Sequence, residues 1–320
     1  MSNLGTLLHN VKVISLVGMA KNSGKTTTLN YLIRHFAKKD VPLALTSIGR
    51  DGEELDVVTK TKKPKIFVPK GSVIASAEGL LGLSDITGEV HVCTDINTPM
   101  GKVVIVRALS AGFVQLGGAG SAVQTLKILE EFEKFGVGKV LIDGAISRKN
   151  ISNPILSEAV VLCTGASLAS DMATVVKKTR HAAEMLKLPM YQESVYNFKA
   201  GEVFYHLQNE SESVYVCERP HFLPGAVTDS GIASILHSGE DKKNTVYVAE
   251  DPSKVLLGME AYEKFRARGG KLYVKNTVNL AAITVNPTSP KGFTFPKDEF
   301  LREMSKAAGV PVFDVLHHDF

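Results

Sequence analysis

The stretch GMAKNSGKTTTL, Gly18 to Leu29, follows the apolar run VKVISLV, Val11 to Val17. The run has strand length and reads as a buried strand. Beyond the glycines, Leu29, Leu32, Ile33 and Phe36 recur at helical spacing until Asp40-Val41-Pro42 stops the pattern. The order is strand, glycine-bearing loop, helix.

Outward from this unit the chain keeps alternating. LALTSI (Leu43 to Ile48), KVLIDG (Lys139 to Gly144) and AVVLCTG (Ala159 to Gly165) read as further strands, and a long helix is expected from about Ala169 to Leu186. Such alternation predicts an α/β fold with a mostly parallel sheet. Between Glu89 and Arg107, two strand-like runs flank a turn with Asn97, Pro99 and Gly101, which predicts an inserted β-hairpin. Around Pro189 the pattern lapses into polar text, so the expected boundary separates a first domain, 1–190, from a smaller α/β lobe, 191–320. In that lobe SVYVCE, TVYVAE, KLYVK and LAAITV are strand-like, and Asp251-Pro252 predicts the start of a helix running to Gly269-Gly270.

Composition narrows the class. Hydrophobic residues make up 44% and charged residues 22%, as in an ordinary globular protein, and the net charge of +4 argues against a nucleic-acid partner. Cys93, Cys163 and Cys217 lack disulfide or zinc spacing and are expected to be buried thiols in a reducing compartment. No run approaches the roughly 18 apolar residues of a membrane span, and the N-terminus has no signal-peptide pattern, so a soluble cytoplasmic protein is expected.

Gly24-Lys25-Thr26, straight after a strand and opening a helix, matches the ending of a P-loop. A glycine at 24 lets successive N–H groups turn toward phosphate oxygens, with Asn22, Ser23 and Thr27 completing the cradle. The Lys25 ammonium suits bridging β- and γ-oxygens, and the Thr26 hydroxyl suits Mg²⁺. The usual first glycine of the motif is Met19 here, and the nearest glycine is Gly18, so the loop is longer or begins without glycine. Asp143, ending the strand VLIDG, is the candidate carboxylate for the Mg²⁺ shell. Asp51, in the acidic loop GRDGE, is the candidate for orienting water or substrate near the γ-phosphate, a turn acid being the equal alternative. No Asn-Lys-x-Asp tetrapeptide occurs, which favours ATP over GTP. QLGGAGS, Gln115 to Ser121, is either a substrate or partner loop or a flexible hinge. PGAVTDSG and VNPTSPKG are loops at strand ends, suited to ligands and equally to turns.

The longer loop with its GKT ending resembles that of dethiobiotin synthetase and its relatives among the signal-recognition and nitrogenase-type ATPases. Four segments together, GMAKNSGKTTTLNYLI, TSIGRDGEELDVVTKTKKPKIFVPKG, VLIDGAISRK and VNPTSPKGFTFPKDEFLREMSKAAGVPVFDV, resemble the P-loop subunit of lysine 5,6-aminomutase reactivases. The likeness runs from about Val13 to Val315. It implies an ATP-dependent factor acting with a second subunit similar to mismatch-repair ATPases. Its target would be an adenosylcobalamin- and pyridoxal-phosphate-dependent lysine 5,6-aminomutase carrying damaged cobalamin. No D-x-H-x-x-G pattern for gripping a corrin is present. Two other classes remain: an ATP-dependent ligase that activates a carboxylate, and a non-catalytic nucleotide-sensing scaffold.

Overall fold

The computed structural model describes residues 3–48, 65–145, 156–192, 203–208, 211–216, 220–238 and 245–315. The chain opens with α1 (Leu4–Leu7), β1 (Val13–Gly18), α2 (Lys25–Ala37) and β2 (Leu43–Ser47). Next come β3 (Ile66–Val68), β4 (Val73–Ala77), α3 (Glu78–Leu81), β5 (Gly88–Thr98), β6 (Gly101–Ala108) and β7 (Gly112–Val114). The pattern then alternates again through α4 (Ala122–Glu133), β8 (Lys139–Ala145), β9 (Ala159–Gly165) and α5 (Met172–Leu186).

These elements build a nine-stranded sheet in the order β18-β17-β9-β1-β8-β2-β4-β6-β5, its first two strands, β17 (Leu280–Asn286) and β18 (Val312–Phe313), coming from the C-terminal end of the chain. Every neighbouring pair from β18 to β4 is parallel, while β6 and β5 form the antiparallel hairpin expected from Glu89 to Arg107. The central strands are continuous apolar runs because both faces are covered. Ile14 and Leu16 of β1 face Leu29, Leu32 and Phe36 of α2, while Val17 joins the opposite core with Ile128 and Phe132 of α4. Residues of alternate parity therefore serve two cores, and each fully buried Leu or Phe contributes about 1.5–3 kcal/mol. Beneath α2, buried Lys139 donates from Nζ to the carbonyls of Leu8, His9 and Val11, tying α1 to the sheet. Burial pushes the Lys139 ammonium below its ordinary pKa, with Glu158 opposing.

The chain divides into two compact units. The first comprises the residues through Leu186 together with those from Val278 onward, and the second is Lys187–Thr277. The α/β class and hairpin agree with the sequence, but a continuous lobe 191–320 does not form. LAAITVN instead becomes β17, which pairs parallel with β9, Ile283 opposite Leu162 and Asn286 opposite Gly165. Beyond it α8 (Lys297–Ala308) buries Phe300, Met304 and Ala308 in the core that holds Val175 of α5, and Gly309 ends it. The second unit is thus an insertion within the first.

Taken by itself, the second unit has an antiparallel pair, β10 (Val203–Gln208) and β11 (Ser211–Val216), and a parallel three-stranded sheet. That sheet runs β12 (His221–Phe222), β14 (Val246–Ala249), β16 (Lys271–Val274), with β13 (Val227–Thr228) pairing β15 (Val255–Leu256) alongside. Helices α6 (Asp229–Ser238) and α7 (Met259–Ala267) connect the strands. The helix expected from Asp251 is corrected here: Asp251 Oδ1 accepts from Ser253 N at 2.8 Å but caps only the 3₁₀ turn Pro252–Lys254. The strand β15 interrupts, because β-branched Val255 pairs with Val227, and α7 starts at Met259. The cysteine expectation also needs correction, since Cys163 is buried but Cys93 is exposed on the edge strand β5. Among the described residues no helix is long and apolar enough to cross a membrane.

Candidate phosphate-binding site

At the carboxyl end of β1 the chain enters the loop 19–24. Met19 N donates to Cys163 O at 2.9 Å, stitching the loop to the end of β9. Asn22 sits at φ 61° and Gly24 at φ 89°, so the backbone turns through the left-handed region twice in three residues. Asn tolerates that region, and glycine enters it without strain. Gly24 has a second reason to lack a side chain, because a Cβ there would lie 3.0 Å from Asn286 Cβ.

Gly24 is the N-cap of α2 and supplies no side-chain acceptor, and Thr28 N donates the first helical bond to Gly24 O at 2.9 Å. The first-turn N–H groups thus face past the helix end, where the helix carries about half a positive charge. No acidic residue occupies that turn. Ser23 is buried, and its Oγ has no hydrogen-bond partner among the described residues. Thr26 and Thr27 are half-buried in the first turn. This combination suits an oxyanion.

Lys25, the first residue of α2, meets Asp143 of β8. The parallel register of β1 and β8 sets Leu16 beside Asp143, and β2 on the other side sets Ser47 beside it. Lys25 Nζ lies 3.1 Å from Asp143 Oδ1, with side chains 15% and 7% exposed. The sequence-predicted residues Asn22, Ser23, Gly24, Lys25, Thr26, Thr27 and Asp143 are therefore gathered at one end of β1 and β8. Asp51 lies outside the described residues.

A layer of hydroxyls underlies the loop. Thr28 Oγ1 donates to Gly24 O at 3.1 Å and lies 2.9 Å from Thr284 Oγ1, with Cys163 Sγ at 3.7 Å. Burial pushes the Cys163 thiol above its ordinary pKa, and hydrogen bonds with Thr284 and Thr28 only partly oppose this. A thiol shifted in this direction favours its neutral form and packs as a small apolar group.

Two contributors act through partners that the sequence does not reveal. Asn286, at the end of β17, donates from Nδ2 to Asn22 O at 3.2 Å, and its backbone O accepts from Ala166 N at 2.9 Å. It joins the loop to the ends of β9 and β17. The only signal was the position of VNPTSPKG after a strand-like run. If the loop holds Mg-ATP, Asn286→Ala is expected to weaken that binding roughly three- to tenfold, the net contribution of one neutral hydrogen bond. A Mg-ATP titration with unchanged affinity would show that the loop is held without it.

The second is Gly118. Its N–H donates to Ser47 Oγ at 2.9 Å, and a Cβ on it would lie 1.8 Å from Ser47 O. Gly117 N donates to Ser76 Oγ at 2.8 Å. QLGGAGS is therefore packed through Gly117 and Gly118 on the carboxyl ends of β2 and β4. It borders a cavity of about 150 Å³ whose other wall is the β5–β6 hairpin tip, Asn97 to Met100. Among the described residues no three His, Cys, Asp or Glu side chains converge on a metal position. Neither a protein-family model nor a curated protein matches this chain.

Proposed function

We propose that the chain binds Mg-ATP at the loop 19–24 and hydrolyses it as the nucleotide-driven half of a reactivating factor for a lysine 5,6-aminomutase. The observation that carries the nucleotide reading is the Lys25–Asp143 contact at the uncapped N-terminus of α2. Tested against the chain, the fit is good. The orphan hydroxyl of buried Ser23 needs a partner, the first-turn N–H groups suit phosphate oxygens, and Lys25 already sits at the loop's end. The Thr26 hydroxyl and Asp143 would hold Mg²⁺, an ion normally bound by one or two carboxylates plus substrate phosphates and water. Bound Mg²⁺ would neutralise phosphate charge during transfer.

The residues then have distinct tasks. With nucleotide and metal bound, Lys25 would pair with phosphate oxygens and Asp143 with the metal shell, so that neither nearly buried charge would be left unpaired. Asn286, Thr28 and Thr284 hold the loop in shape, so binding does not have to order it. Asp51 is the proposed group for orienting the attacking water.

The link to an aminomutase rests on the resemblance of the four segments. Reactivation requires ATP occupancy and target affinity to be linked reciprocally, so that one conformational state releases the damaged cobalamin. The test inactivates the mutase, adds this chain, the partner subunit similar to mismatch-repair ATPases, Mg-ATP and fresh adenosylcobalamin, and follows recovered activity. Recovery is expected with the intact chain and not with Lys25→Ala or without ATP. Equal recovery with Lys25→Ala, or none with the intact pair, overturns the reading. An acyl phosphate trapped from a carboxylate substrate would instead establish the ligase.

A further inference from the structure

In the second unit the three parallel strands end at one cavity of about 450 Å³. Phe222 closes β12, Glu250 follows β14, and Lys275 follows β16, and all three line it together with Gly225 and Lys254. Ligands of parallel α/β sheets gather outside the carboxyl ends of the strands, and this volume lies within the range of small-molecule sites.

The lining specifies a ligand chemistry. Lys275 Nζ lies 3.0 Å from Glu250 Oε2 and 5.4 Å from the centre of the Phe222 ring. Asn276 Nδ2 donates to the Glu250 backbone O at 3.4 Å, fixing the segment that carries the carboxylate. Glu250 is therefore already paired, whereas Lys254, half-buried on the 3₁₀ turn, has no carboxylate partner among the described residues. Among the described residues the wall has one cation in surplus. Phe222 is 50% exposed although it is a large aromatic, and its ring meets that of Tyr191 in a T-shaped contact with 6.1 Å between ring centres. Gly225 takes φ 81° with nothing within 4 Å of where a Cβ would stand, so a ligand can approach the backbone there.

We infer that this cavity is a second small-molecule site, for a compound carrying both a phosphate monoester and a flat ring, of the mononucleotide class. Lys254 takes the phosphate, with Lys275 as the adjoining cation, and the exposed face of Phe222 stacks on the ring. Stacking on an aromatic side chain tolerates any base, so the phosphate and ring together, rather than one base edge, define the class. The site stands independently of the loop 19–24 and of any ATP chemistry there.

The experiment titrates AMP into the full-length chain carrying Lys25→Ala, which silences the first site, and into the intact chain, with heat or equilibrium dialysis as readout. One equivalent of AMP is expected to bind in both backgrounds, with ribose 5-phosphate and adenosine each weaker by about tenfold or more, as loss of a charged contact or of stacking implies. Lys254→Ala and Phe222→Ala are each expected to lower AMP affinity about tenfold while leaving Mg-ATP binding to the intact chain unchanged. Absence of AMP binding outside the first site, or binding that both substitutions leave intact, overturns the proposal. Equal affinity for ribose 5-phosphate and AMP overturns the ring assignment.

Discussion

Lys25→Ala is expected to lower Mg-ATP affinity roughly a hundredfold or more, because an ammonium that bridges two phosphates makes more than one charge-assisted contact, each contributing about 1.5–3 kcal/mol. Titration of a labelled ATP analogue with the parent and variant chains measures this, and undiminished affinity would remove the phosphate cradle from the loop 19–24. The same substitution carries a stability signature that a generic surface lysine would not. Asp143 is 7% exposed and faces the Lys25 ammonium at 3.1 Å. Removing that cation leaves a nearly buried carboxylate with less compensation, and the variant is expected to lose about 1–3 kcal/mol of stability. Adding Asp143→Asn removes the charge and should return much of the loss without returning ATP affinity. Thermal melting of the single and double variants separates binding from folding, and additive losses would show that the pair is not coupled.

Gly118→Ala should be the most damaging single methyl in the first unit. The added Cβ would stand 1.8 Å from Ser47 O, a backbone atom that cannot rotate away, and 2.9 Å from Thr46 Oγ1. Either the glycine loop lifts or the end of β2 moves, and both break the bond from Gly118 N to Ser47 Oγ. A loss of about 3 kcal/mol or more is expected, at the upper end of overpacking in a core, with a fall in Tm of roughly 5–10 °C. Ser47 pairs beside Asp143, so ATP turnover should fall as well. Gly120→Ala is the control: nothing lies within 4 Å of its Cβ position, and a change near zero is expected. A Gly118→Ala chain that melts with the parent would show that this loop yields easily.

The strand, loop and helix over residues 13–37 were legible because a run buried on both faces, a glycine punctuation and an apolar stripe at helical spacing are all local features. Asp143 was legible for the same reason, since an aspartate near the carboxyl end of an apolar strand needs only the strand to be seen, although β8 runs on to Ala145. The return of the C-terminal segment was not. LAAITVN looks the same whether it pairs in a small sheet or beside β9, and the choice depends on partners far away in sequence. Asp251-Pro252 misled because a good cap and a proline at N1 start any helical turn, whereas Val255 pairing with Val227 ends this one. Gly118 and Asn286 act through contacts with Ser47 and Asn22, which no spacing along the chain encodes.

The insertion of Lys187–Thr277 has a consequence for how the chain finds its fold. β9 ends at Gly165 and β17 begins at Leu280, yet the two are neighbours in the sheet. Closing so long a loop delays their pairing, since distant contacts must overcome closure entropy before they stabilise anything. If the inserted unit folds first, its own compactness draws its two ends inward and shortens the effective loop. Because Asn286 closes β17 and holds Asn22, the loop 19–24 would be among the last parts of the molecule to take its final shape.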